Sequence, residues 1–118
     1  MNDDFKLIAT GYLYSPWHGT LREYAGEVYH RDEIRHGPGN IITNERTLFL
    51  VKDKHDRVLK SHDVSINEGE IHNKIVWLRE PDKKRAASIL IEYEEAQISK
   101  LKMQIENHAC LIASLRDI

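Results

Sequence analysis

The stretch that decides the fold is PDKKRAASILIEYEEAQISKLKMQIENHACLIASLRDI, residues 81–118. After Pro81 it contains neither glycine nor proline, so nothing in it interrupts a helix. Pro81 suits the first helical position, and the Asp82 carboxylate favours the positive end of the helix dipole. At ~1.5 Å per residue, a helix from Asp82 to Asp117 is about 54 Å long. The sequence therefore predicts one long helix that a small domain cannot cover by itself.

Apolar residues recur along this helix at the interval typical of a coiled coil. Isoleucines repeat every seven residues, at 91, 98, 105 and 112, and a second position of the same repeat holds Ala87, Leu101 and Leu115. The other two residues at this second position are polar, Glu94 and His108. The pattern predicts a self-associating amphipathic helix, and the residues expected to form its contact are Ile91, Ile98, Leu101, Ile105, Ile112 and Leu115.

The two polar positions favour antiparallel pairing. In a parallel dimer Glu94 would face its own copy, and like charges meeting in a seam are unfavourable. Matching Ile105 with Leu101 of an antiparallel partner instead puts Glu94 and His108 in neighbouring layers. Isoleucine at one seam position with leucine at the other is otherwise typical of parallel dimers. The alternative is that the apolar stripe packs on the chain's own β-rich part, because three further residues widen it, Leu90, Tyr93 and Leu111.

Length and composition predict one domain, 1–118, with a β-rich part over 1–80 and the helix over 81–118. Charged residues make up 31% of the chain and the formal net charge is −2, with acidic and basic residues interleaved, which argues against duplex nucleic acid as a partner. The acidic start lacks an apolar run, so we expect no secretory signal and no membrane partner. Cys110 is the single cysteine, which favours a reducing, cytoplasmic setting.

Residues 1–80 alternate short apolar runs with turn residues, which predicts four to six short antiparallel strands. The fold class is therefore α+β, a small antiparallel β-domain followed by one long helix. A loop at 15–19 carries Trp17, whose aromatic side chain could serve as a contact point. The predicted strands cover residues 5–14, 27–34, 41–51, 57–66 and 71–78.

The segment 20–35 is compatible with two structures. Thr20 with Glu23 matches a helix capping box, but Gly26 interrupts a helix and 36–40 has the composition of a tight turn. We prefer a β-hairpin, with 21–25 as a short lead-in or helical turn. In the last strand, Ile75 and Trp77 share one face while Val76 and Leu78 share the other, which is typical of a strand covered on both faces, on one of them by the helix.

A resemblance starts at the hairpin. Gly26-Glu27-Val28-Tyr29, then Gly39, Ile41 and Thr43, resemble a glycine–x–valine–tyrosine … glycine–x–isoleucine–x–threonine pattern of small β-rich bacteriophage proteins. A small sheet followed by long paired helices also resembles the phage sponge proteins that counter Thoeris defence. This resemblance implies a non-enzymatic anti-defence protein that binds a cyclic nucleotide signal without cleaving it.

Cations near strand ends and the helix start are the candidate anion-binding groups. Lys83, Lys84 and Arg85 begin the helix, where backbone N–H groups already favour an anion. Arginine beside an aromatic ring can hold phosphate and stack a nucleobase. The alternative is a solvated face balanced by neighbouring carboxylates. The residues expected to bind the ligand are Tyr29, Arg31, Thr43, Arg46, Phe49, Trp77, Arg79 and Arg85.

Catalytic and metal chemistry receive less support. His108 and Cys110 lie two residues apart and do not face each other on a helix. His30, Asp32 and His36 supply ligand types for a metal, but they share a face only if the strand stays regular. We therefore expect no enzyme activity, no metal and no cofactor.

Two functions from different classes follow. The first is sequestration of a small anionic, cyclic nucleotide by a homo-oligomer, a dimer or a multiple of dimers. The second is a protein-binding inhibitor or adaptor that docks on a host protein through its helix and the loop bearing Trp17.

Overall fold

The computed structural model describes residues 5–118, apart from the side chains of residues 33–36 and 40–43. Within this range a five-stranded antiparallel sheet precedes one long helix, which confirms the predicted α+β class. The strands lie in the order β4-β3-β2-β1-β5. Their bounds are β1 Lys6–Trp17, β2 Thr20–Gly37, β3 Asn40–Lys52, β4 Val58–Asp63 and β5 Val76–Leu78, and the helix α1 is Lys83–Arg116.

The strands β1 and β2 form a long hairpin whose turn is His18-Gly19. Both turn residues have positive φ, 46° and 78°, the geometry that matches the twist of the flanking strands. The predicted helical turn at 21–25 is wrong, because these residues pair one by one with β1. Gly26 lies opposite Gly11 in the middle of the hairpin, and a Cβ on Gly26 would meet a Phe49 ring carbon at 2.6 Å. The glycine therefore serves close packing inside a strand.

One face of the sheet carries the larger aromatic core. Leu13, Val28, Phe49 and Trp77 are fully buried there. Trp77 donates its indole N–H to the carbonyl oxygen of Ser65 at 2.6 Å, so the ring is fixed at its polar end too. The segment between β4 and β5 covers this face.

The opposite face receives the helix. Tyr14, Val76 and Leu78 pack with Ala86 and Leu90 of α1. This confirms that Val76 and Leu78 lie on the face opposite Trp77. The predicted strand 71–78 is too long, because the chain reverses at Asn73-Lys74, where φ is 51° and 66°. The predicted strand 57–66 likewise shortens to 58–63.

A single hydroxyl joins the start of α1 to the sheet. Tyr14 donates to the Glu23 carboxylate at 2.7 Å and accepts from the Asp82 backbone N–H at 2.8 Å. Asp82 is the N-cap, and its side chain accepts from the Arg85 N–H at 2.9 Å. Pro81 therefore precedes the cap instead of occupying the first helical position. Burial, and next the hydrogen bond to Glu23, raise the pKa of Tyr14 to about 12.

Beyond its first two turns, α1 projects away from the sheet. Its buried residues are Ala86 and Leu90. The six predicted seam residues are 50% to 67% exposed. The radius of gyration is 20.0 Å, whereas a compact chain of this length has about 13 Å. The chain's own β-part thus covers only the beginning of the apolar stripe, and the helix runs without interruption through Asn107.

Among the residues that the structure describes, no helix combines the length and the apolar character needed to span a membrane.

We predict that Tyr14→Phe lowers the free energy of unfolding by about 2 kcal/mol. The change leaves the Glu23 carboxylate and the Asp82 N–H without their shared partner. Urea denaturation of both proteins at one concentration measures the difference. Tyr12→Phe, which removes a hydroxyl two residues away on the same face, is the matched control. An equal loss in both variants would contradict a specific role for Tyr14.

The same hydroxyl predicts a dependence on alkaline pH. Because its pKa rises from 10.0 to about 12 on folding, the unfolded chain loses this proton first as the pH rises. The stabilisation is fully present below pH 10.0 and is lost as the pH rises through about 12. The stability difference between the wild type and Tyr14→Phe should therefore shrink across this interval in urea denaturation. A difference that stays constant would contradict the raised pKa.

Candidate functional site

An apolar groove lies between the tip of the β1–β2 hairpin and the first half of α1. Its volume is about 810 Å³. One wall is the hairpin tip with Pro16, Trp17 and Leu21, and the end wall is the tight turn at Asn73-Lys74. Pro16 fits within β1 because β5 pairs only with residues 12–14, which leaves this end of the strand without a partner on that side.

Trp17 is held in a defined position at the mouth of this groove. The Arg22 guanidinium lies over its ring at 5.1 Å from the centroid, and the His18 ring meets it edge-on at 4.6 Å. The Thr20 hydroxyl donates to the Trp17 carbonyl at 2.7 Å. The indole is nevertheless 53% exposed. An exposed aromatic ring on a fixed backbone is well suited to contact a partner, since little conformational freedom is lost on binding.

The other wall of the groove is the start of the helical seam. Ala87, Ile91, Glu94 and Ile98 line it, and they occupy successive positions of the predicted seven-residue pattern. The sequence predicted the seam and Trp17 as separate features, and the structure brings them together. Toward the C-terminus the seam continues past the groove as an exposed apolar stripe, formed by Leu101, Ile105, Ile112 and Leu115.

Two predicted ligand-binding residues are in the core instead. Phe49 and Trp77 are fully buried on the sheet face opposite α1, so neither ring offers a free surface to a nucleobase. Their assignment to a stacking site is wrong for this reason. A strand residue points to one face or the other, and burial there depends on the segment that crosses the face, which local sequence does not specify.

Three other predicted residues share one sheet face. Arg31 lies directly opposite Arg46 in the β2–β3 pairing, and Tyr29 lies two residues along β2. Arg46 donates to Asp63 at 2.8 Å, and this hydrogen bond lowers the pKa of the Asp63 carboxyl. The Arg31 guanidinium lies 4.8 Å from the Phe5 ring centroid, and its buried Nε has no hydrogen-bond partner among the side chains that the structure describes. Opposed like charges are unfavourable in a sheet; the Asp63 carboxylate balances Arg46, and an anion beside the pair would balance Arg31.

The remaining predicted cations form a separate group at the helix start. Arg79 and Arg85 both donate to the Glu68 carboxylate, at 2.8 Å and 3.1 Å. The hydrogen bond from Arg79 is the main cause that lowers the pKa of Glu68. Arg79 also lies over the Trp77 ring at 5.3 Å. Because one carboxylate holds both arginines, this group fastens the segment before β5 to α1. The predicted set thus divides among three places, the core, the β2–β3 face and the helix start, and the side chain of Thr43 lies outside the described residues.

A polar cluster on the opposite sheet face contains two of the residues considered for a metal, His30 and Asp32, together with Glu45. His30, Asp32 and Glu45 place their ligand atoms within 4.8 Å of one another. The His30 ring contacts Asp32 at 2.8 Å and the Thr47 hydroxyl at 2.7 Å, so both ring nitrogens have partners. Thr47 is 7% exposed, and its hydroxyl contacts the His30 ring. These contacts explain the cluster as a link between β2 and β3. The side chain of His36 lies outside the described residues.

The sequence analysis missed the groove itself. Its end wall depends on the reversal at Asn73-Lys74, and asparagine is a residue type that tolerates positive φ. Asn73 is thus a turn residue that lies within the predicted strand 71–78.

Comparison with known protein families, with curated proteins and with solved structures finds no match for this chain. Its function is therefore argued from the geometry described above.

Proposed function

We propose that this chain is a non-enzymatic protein-binding adaptor or inhibitor that works as a homo-oligomer. Its contact surface, here called the docking surface, consists of the groove at Trp17 and the exposed seam of α1. The observation that carries the proposal is that the seam residues Ile91 and Ile98 line the groove, so apolar hairpin and helix form one continuous surface. An amphipathic helix laid into an apolar groove is a recurrent mode of protein recognition.

The magnitude of the exposed surface supports binding of a whole helix. Full burial of one large aliphatic side chain contributes about 1.5–3 kcal/mol. The six seam residues are about half exposed, so covering them in two paired chains contributes on the order of 10 kcal/mol. Association costs about 4–15 kcal/mol in lost freedom of motion. The seam alone is therefore close to balance, and contacts in the groove at Trp17 decide whether the complex is stable.

We predict that Ile98→Asp combined with Ile105→Asp converts the oligomer to a monomer, because two charges would be buried in the seam. Light scattering coupled to size exclusion measures the mass, and circular dichroism checks that the sheet and helix persist. Met103→Asp is the matched control, since Met103 is an apolar residue, 65% exposed, outside the seam positions. A wild-type mass equal to one chain would contradict self-association.

Nucleotide sequestration is a second candidate, favoured by the opposed pair Arg31 and Arg46 beside Tyr29. Two guanidinium groups suit a phosphodiester or a diphosphate, and the half-buried Tyr29 ring lies on the same face. In this proposal the protein binds a cyclic nucleotide signal in the host cytoplasm and releases it unchanged, as the resemblance to anti-defence sponges implies. Arg79 and Arg85 belong to the Glu68 group and take no part.

We predict for this second function that a cyclic nucleotide raises the melting temperature of the wild type and that Arg46→Ala removes the shift. A ligand at 100 times its dissociation constant adds about 2.7 kcal/mol of stability. Arg57→Ala, an exposed arginine paired with Asp53, is the matched control and should keep the shift. Absence of a shift across linear and cyclic nucleotides, with an oligomeric mass, would leave the protein-binding function alone.

A further inference from the structure

We infer that a second copy of this chain fills the docking surface, with its α1 antiparallel and its last helical turns seated in the groove at Trp17. The inference rests on the homo-oligomer of the proposed function and assigns the docking surface to self-association, so that a host protein would compete with the second copy for it. It also makes the groove a composite site, because one chain supplies the hairpin and the first half of α1 while the other supplies the C-terminal end.

The seam matches itself in the antiparallel sense. With Ile105 opposite Leu101 of the second copy, about eight successive layers form between residues 91 and 115. Ile91 then faces Leu115 of the second copy, and Ile98 faces its His108. Four of these layers contain only aliphatic side chains, and each of the other four pairs one polar side chain with an aliphatic one that can cover its stem. The match uses almost the whole exposed part of α1, which a shifted register would not.

Charge favours the same arrangement. Glu94 faces Ile112 of the second copy and lies one layer from its His108, so an acidic group and an imidazole approach each other. Glu95 flanks the seam on the side where Arg116 of the second copy arrives. In a parallel dimer Glu94 would instead face Glu94, and like charges would meet where the groove wall is most apolar. The parallel arrangement offers no cation in reach to compensate.

The length of the helix determines what enters the groove. Ala87, Ile91 and Ile98 line one wall, and in this register the residues opposite that wall are the last three turns of the second copy. Those turns carry exposed apolar residues, namely Leu111, Ile112, Leu115 and Ile118. In this register the last helical residue of the second copy, Arg116, lies beside residue 90, where the sheet already covers α1 at Ala86 and Leu90.

Spin labels test the orientation. A nitroxide on Ser114→Cys, in a Cys110→Ser background, lies about 33 Å along the axis from its copy in the antiparallel dimer. In a parallel dimer the two labels lie at one height and within about 25 Å, since paired helix axes are 8–10 Å apart. We expect a pulsed electron resonance distance above 30 Å. A dimeric mass with the short distance would overturn the antiparallel arrangement and leave self-association intact, whereas a monomeric mass would overturn both.

A double-mutant cycle tests the seating in the groove. Leu115 lies about 25 Å along the axis from Ile98 of its own chain, so it can couple to Trp17 only through a second copy. We expect Trp17→Ala and Leu115→Asp each to weaken dimerisation at least about tenfold, and the double variant to weaken it by clearly less than the product. Met103→Asp with Trp17→Ala is the control pair, and its two effects on the dissociation constant should multiply. Sedimentation equilibrium gives the dissociation constants, and a product rule for Trp17 with Leu115 would overturn the inference.

Discussion

The contact on which the structure depends is the Tyr14 hydroxyl, which accepts from the N–H of the helix cap and donates to Glu23 on the neighbouring strand. It fixes the start of α1 against two strands at once. Ala86 and Leu90 add the apolar part of the contact, and Glu68 adds two ion pairs from the other side. A buried hydrogen bond to a charged group is worth about 1.5–3 kcal/mol, which is large compared with the few contacts that hold this helix.

Because the anchoring is confined to the first turns, the direction of α1 is set at one end only. A helix held in this way leaves its apolar stripe beside the hairpin tip for about two turns and then exposed for the rest of its length. The groove at Trp17 is the region where the apolar stripe lies beside the hairpin tip and is still exposed. Tyr14 and Trp17 lie on the same strand, so the strand that positions the helix also carries the aromatic wall that faces it.

The parts of the fold that could be predicted are those with a long, uninterrupted period. The helix limits followed from the glycine-free run after Pro81, and the two faces of the last strand followed from alternation at Trp77 and Leu78. The errors have non-local causes. Apolar residues in 21–25 have helical spacing, which is a weak local preference for a helix. Pairing of this segment with β1, and of the following part of β2 with β3, outweighs that preference. Phe49 is buried by the segment between β4 and β5, and the local sequence does not predict that this segment crosses the face.

The candidate site likewise combines residues that a local pattern predicts with a groove that depends on non-local packing. The exposure of seam residues such as Ile98 agrees with the coiled-coil pattern, which predicts an apolar stripe that the chain's own sheet does not cover. The groove was not, because it arises only when the hairpin tip and the turn at Asn73 are placed beside α1. Such a groove exists only once these elements are packed together, and it binds through its shape and its apolar area. The groove offers about 810 Å³ of mainly apolar space, and this shape and chemistry support the proposed binding.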